Sequence, residues 1–85
     1  MGYVIAVFKS RNEALRFFKV LSSYNIKANI IATPKIEGLA CGVSLKLSKD
    51  RYQEAKKLLY RFRPQSFDGF YYLKRENGSL VANRL

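Results

Sequence analysis

The sequence predicts an α+β domain, and three observations predict it. Short runs of β-branched and aromatic residues alternate with two longer stretches whose apolar residues recur at spacings of three and four. Each longer stretch opens on a capping pattern, Ser10 with Glu13 and Asp50 with Gln53. The order strand, helix, strand occurs once in each half of the chain.

Tyr3–Phe8, "YVIAVF", is a compact strand run. Ser10 is positioned to accept from the third helical N–H, with Glu13 reaching back, so a helix begins there. Ala14, Phe17, Phe18, Leu21 and Tyr24 form its apolar face, with Arg16 and Lys19 outward. "SSYN" weakens the helix and ends it. Lys27–Thr33 reads as a second strand, stopped by Pro34, which lacks an N–H. "PKIEGLACG" is a loop, and Val43–Leu47 alternates as a third strand. Ser48 or Asp50 caps a second helix, with Tyr52, Ala55, Leu58, Leu59 and Phe62 inward and Pro64 ending it. Phe67–Lys74 is a fourth strand. Asn77–Gly78 is a two-residue turn signal, which leaves residues 75–85 open between a short hairpin strand and a frayed tail.

Right-handed crossovers make the two strands of each half parallel, with room for another strand between them. Interleaving the halves gives a ferredoxin-like βαββαβ arrangement: a four-stranded antiparallel sheet with both helices on one face. Residues 1–85 read as one domain. The first strand is apolar at both parities, Val4, Ala6 and Phe8 as well as Tyr3, Ile5 and Val7. A strand buried on one face should alternate. Its second face therefore needs a cover: a partner, the tail or a ligand. The expectation is a homodimer through that open sheet face.

Composition narrows function. The chain has 85 residues, 48% apolar, with six Tyr and six Phe, enough for one core. No apolar run is long enough to span a bilayer, and the N-terminal stretch lacks the basic segment of a signal peptide. No membrane association is expected. A single Cys and no His exclude an internal disulfide and make a metal site within one chain unexpected. No cofactor is implied. With one unpaired thiol and no targeting signal, the expected compartment is the cytoplasm. No histidine base and no carboxylate pair support enzyme chemistry.

Cys41 has two readings. It is an activated loop thiol, or a small hydrophobe packed beside Leu39 and Val43. In the first reading Lys35, Lys46 and the Gly42 N–H favour the thiolate, and Gly42 leaves the sulfur approachable. A net charge of +10 supplies a rival function. Lys49, Lys56, Lys57, Arg61 and Arg63 form a basic patch able to attract nucleic acid or an acidic protein without chemistry. The third strand carries no aromatic, so base stacking on the sheet is poorly supported.

Thr33, Pro34 and Lys35, then a short loop, then Cys41, Gly42, Val43, Ser44, Leu45 and Lys46 carry a family pattern. From Tyr3 to about Tyr72 the chain resembles small bacterial domains of a selenium/sulfur carrier-like family. That resemblance implies that Cys41 holds sulfur or selenium as a persulfide or selenosulfide, received from a donor protein and passed to an acceptor. One departure stands out. The serine-rich approach to the cysteine is here Gly38-Leu39-Ala40, with fewer hydroxyls to hold an anionic sulfur.

Overall fold

The computed structural model describes residues 2–85. Its elements are β1 (Tyr3–Phe8), α1 (Arg11–Ser23), β2 (Ala28–Ala32), β3 (Val43–Leu47), α2 (Tyr52–Phe62), β4 (Phe67–Glu76) and β5 (Ser79–Arg84), with a short 3₁₀ turn at Lys49–Arg51 leading into α2. The strands form one antiparallel sheet in the order β2-β3-β1-β4-β5. The sheet has five strands, where the basic prediction has four. The tail is the added strand, turned back through Asn77 (φ 51°) and Gly78 (φ 79°). Two successive positive φ values match the right-handed twist of a hairpin.

β1 is the central strand, and it separates two apolar clusters. Val4, Ala6 and Phe8 meet Ala14, Phe17 and Leu21 of α1 and Ala55, Leu58 and Leu59 of α2. Both helices thus pack on one face. Phe8, fully buried, packs its ring 5.8 Å from Phe17 and 5.3 Å from Phe67. On the other face Ile5, Val7, Tyr71 and Leu73 form the second cluster. Its cover comes from the same chain: Ile36 and Leu39 of the loop, Ile31 of β2, Leu80 and Ala82 of β5. Ile5 and Val7, two of the residues that suggested a sheet-to-sheet partner, are buried within one chain, and Tyr3 is half-buried.

β4 feeds both clusters by alternation, and its register slips against Val7 and Phe8 of β1. The bulge supplies one extra residue. Phe67 and Phe70 therefore both face the helices, rings 5.1 Å apart, while Tyr71 and Leu73 face the other way.

The helix ends differ from expectation in instructive ways. Ser10 caps α1, its hydroxyl accepting from the Glu13 N–H at 3.3 Å. The Glu13 carboxylate does not turn back to Ser10. It accepts from the N–H groups of Gln65 (2.9 Å) and Ser66 (2.7 Å) and from the Ser66 hydroxyl. The Ser66 hydroxyl in turn accepts from the Ser10 N–H at 3.1 Å. The capping box is closed through a residue far along the chain, and it pins the start of α1 to the start of β4. At the other end of α1, Asn25 is left-handed (φ 59°). Its N–H donates to Ser22 O and that of Ile26 to Leu21 O, a Schellman motif. Tyr24, assigned by periodicity to the inner face, is 54% exposed, and Ile26 takes the buried place. Ser48 caps the 3₁₀ turn through the Asp50 N–H. Asp50 is therefore a capped residue, not the cap of α2, which has no side-chain cap bond.

Hydrogen bonds from Ser66 and Gln65, aided by the nearby Arg16 charge, hold the Glu13 carboxyl below its ordinary value of 4.5. A carboxylate whose pKa is depressed by folding stabilises the fold above its unfolded-state pKa and loses that contribution as pH falls through the folded-state pKa. Glu13→Gln should therefore lower the melting temperature at neutral pH and reduce the drop in stability on acidification below about pH 5. Thermal melts of both proteins at pH 7 and pH 3 check this.

Candidate functional site: the loop from Thr33 to Gly42

The loop begins where the β2–β3 ladder ends. The Thr33 N–H donates to Gly42 O at 3.0 Å, the last rung. Pro34 offers no N–H to continue it. Beneath that rung the hydroxyls of Thr33 and Ser44 lie 2.7 Å apart, and both residues are buried. This bond ties the loop's entry to β3. Ser44 is fully enclosed, so a hydroxyl there needs a partner.

Beyond Pro34 the chain turns twice. The Ile36 N–H donates to Pro34 O at 3.0 Å and the Leu39 N–H to Ile36 O at 3.1 Å. Gly38 has φ 93° in this second turn, a conformation that suits glycine. The turns place Ile36 and Leu39 against Ile5, Val7, Tyr71 and Leu73. The loop is thus packed onto the sheet.

Cys41 is exposed. It lines an open hollow of about 480 Å³ together with Thr33, Pro34, Ile36 and Leu39, and Lys35 and Glu37 supply the hollow's charges. The reading of Cys41 as a buried hydrophobe is overturned. Gly42 has a role other than easing access to the sulfur. A Cβ on Gly42 would collide with the backbone carbonyl of Phe8. The close approach of β1 to β3 requires glycine there.

The predicted site residues separate. Thr33, Pro34, Lys35, Cys41 and Gly42 come together around the hollow. Lys46 does not join them. It pairs with Ile5, and its amino group sits 4.4 Å over the Tyr3 ring. That is roughly 15 Å of extended strand away from Cys41. The basic residues after β3 are elsewhere too. Lys49 lies 5.2 Å from the Tyr72 ring and Lys56 near Tyr52 and Tyr60, and neither they nor Lys57, Arg61 and Arg63 line the hollow.

Lys9 and Ile36 have no place in the sequence-based expectation, and Ser44 and Leu39, named there, were given no part in holding the loop. Phe8 pairs with Val43, so the next residue, Lys9, stands beside Gly42. A Cβ built on Gly42 lies 3.6 Å from the Lys9 Cα. Lys9 is exposed, one residue from Cys41 across the strand pair. Only the register of β1 against β3 reveals this neighbour.

Among the described residues no cluster of Cys, Asp and Glu could hold a metal ion, and no helix is long and apolar enough to cross a membrane. What fold and loop define is an α+β domain presenting one accessible thiol from a packed loop. A family model described as "Putative Se/S carrier protein-like" matches residues 3–71, and the chain belongs to that family. The match runs from β1 into β4 and stops before β5. Neither the curated proteins nor the solved structures compared with the chain give a match.

The Thr33–Ser44 bond sets an expectation for the loop's anchorage. Thr33→Val leaves the Ser44 hydroxyl buried without its partner and should cost about 1–3 kcal/mol. The double variant Thr33→Val, Ser44→Ala should recover part of that loss, because both ends of the bond are then apolar. Urea unfolding of the two single variants and the double variant measures the coupling.

Proposed function

We propose that this protein carries sulfur or selenium on Cys41, within a ferredoxin-like domain extended by β5. The observation that carries the reading is the exposed Cys41 beside a hollow of about 480 Å³, in a chain of the carrier-like family. A carrier must offer its sulfur to a donor and then to an acceptor. A thiol at the edge of an open hollow meets that requirement.

The transfer is an exchange at sulfur. The Cys41 thiolate attacks the terminal sulfur of a donor persulfide, R–S–SH. A new S–S bond forms at Cys41 Sγ, the donor's S–S bond breaks, and the donor leaves as the thiolate R–S⁻. Cys41 holds –S–SH, and the oxidation state of the pair is unchanged overall. Selenium follows the same path from a donor selenosulfide, R–S–SeH, leaving Cys41–S–SeH. An acceptor nucleophile then removes the terminal atom and returns Cys41 to the thiolate. No base or metal of this chain is required, because donor and acceptor bring the reacting partners.

Lys9 and Lys35 supply positive charge at this end of the sheet, Lys9 beside Gly42 and Lys35 at the hollow. The attacking Cys41 thiolate and the outgoing donor thiolate are both anionic, so cations here favour the exchange. Lys46 serves a different end of the sheet, held over Tyr3.

Incubation with a low-molecular-weight persulfide, followed by intact mass measurement, tests the proposal. The wild type should gain the mass of one sulfur and Cys41→Ser none. Reductant should reverse the gain. An unmodified wild type under conditions that load a control thiol protein contradicts it. Lys9→Ala should slow loading roughly two- to fivefold, the size expected of one exposed charge. Lys46→Ala should leave the loading rate unchanged. Timed quenching and mass spectrometry of the two variants measure the difference.

A further inference from the structure

Strand β2 is one edge of the sheet, paired only to β3. Antiparallel ladders alternate, so the rung between Thr33 and Gly42 fixes which residues bond inward. In the register Ile31↔Ser44 and Asn29↔Lys46, those residues share the parity of Thr33 and turn their backbone groups to β3. The N–H and C=O groups of Ala28, Ile30 and Ala32 therefore point outward, away from the sheet.

Natural edge strands are shielded from further pairing by charge, proline, a bulge or a covering segment. Within β2, "ANIIA", none of the charged residues, proline or glycine occurs, and its pairing with β3 is continuous. Ile30 is 38% exposed, unusual for its type. β5, the opposite edge, differs. It carries Arg84, whose guanidinium donates to Asp68 O at 2.8 Å and to the Tyr71 hydroxyl at 3.1 Å.

We infer that β2 pairs antiparallel with β2 of a second copy of this chain, on a two-fold axis at Ile30. This places the partner at the sheet's edge and not on its covered face. The sequence is matched to that operator. Ile30 faces Ile30 of the other copy, and Ala28 faces Ala32, so small residues flank the central pair on both sides. The outward backbone groups of Ala28, Ile30 and Ala32 are the set that such a ladder consumes. An isologous contact of this kind closes on itself and stops at a dimer. No charged residue lies within the paired segment Ala28–Ala32 itself. Lys27, the nearest cation in sequence, lies opposite position 33 of the other copy. The two Lys27 side chains are then about 20 Å apart along the strands, beyond the screening length of about 8 Å at physiological salt. The long-range repulsion of two basic chains remains, so the dimer strengthens as salt rises.

The inference is independent of Cys41 chemistry. Sedimentation velocity of the full chain, over a concentration series at low and moderate salt, should show the apparent mass rising toward twice that of the monomer, more readily at moderate salt. Ile30→Lys should remain monomeric with an unchanged circular dichroism spectrum. A cysteine scan fixes the register. Facing hydrogen-bonded residues have Cα atoms about 5.5 Å apart, within disulfide reach. In a Cys41→Ser background, Ile30→Cys should therefore form a disulfide dimer under mild oxidation, and Ala28→Cys should not. A monomer at every concentration and salt overturns the inference. So does a dimer that persists in Ile30→Lys, or crosslinking by Ala28→Cys as fast as by Ile30→Cys.

Discussion

A central strand that is apolar on both faces must be covered twice, and the rest of this structure follows from how that is done. The helices cover one face through Phe17, Leu21, Ala55 and their neighbours. On the other face Ile5 and Val7 are wholly enclosed by residues of the same chain. Part of that cover is the segment joining β2 to β3. Ile36 and Leu39 are drawn onto the sheet because leaving Ile5, Val7, Tyr71 and Leu73 wet costs about 25 cal/mol for each Å² of apolar surface. The connection is thereby part of a core. Its remaining residues are displayed, and Cys41 is among them.

Fixing both ends of that connection matters as much as packing its middle. The hydroxyl pair of Thr33 and Ser44 holds the entry, and the Gly42 backbone, pressed against Phe8 O, holds the exit. The same end of the sheet is tied down from below by the Glu13 carboxylate on Ser66 and Gln65. In the proposed carrier role, a thiol exchanging with successive proteins would benefit from a rigid base, since less ordering entropy is lost at each encounter. Here rigidity comes from apolar contacts and backbone bonds, so the sulfur's own surroundings stay open.

Local chemistry made most elements legible in the sequence. The bounds of β1 and β3 are as the β-branched runs imply, and Asn77–Gly78 turns where an Asn-Gly pair should. Failures came where a distant residue decides. Tyr24 fits the helical stripe by spacing, but the helix ends in a left-handed Asn25 and Ile26 is the residue folded under. Glu13 fits a capping box, yet its carboxylate is claimed by a β4 approach more than fifty residues on. Lys46 is near Cys41 in sequence and far along the strand, whereas Lys9 is distant in sequence and its backbone lies beside Gly42. The second sheet face was recognised as needing a cover. The tail, one of the covers considered, contributes Leu80 and Ala82 of β5; that the cysteine loop supplies another part depends on two turns ending at Leu39, which no periodicity encodes.

Packing fixes the loop on the sheet while leaving its sulfur outside. Alkylation of Cys41 at neutral pH, timed in the native protein and in the chain unfolded by denaturant, tests it most directly. Native labelling should run in one phase, at a rate within about tenfold of the unfolded chain and unchanged by sub-denaturing urea, since no opening is needed to reach an exposed thiol. Labelling that proceeds only as fast as the protein globally unfolds would contradict it.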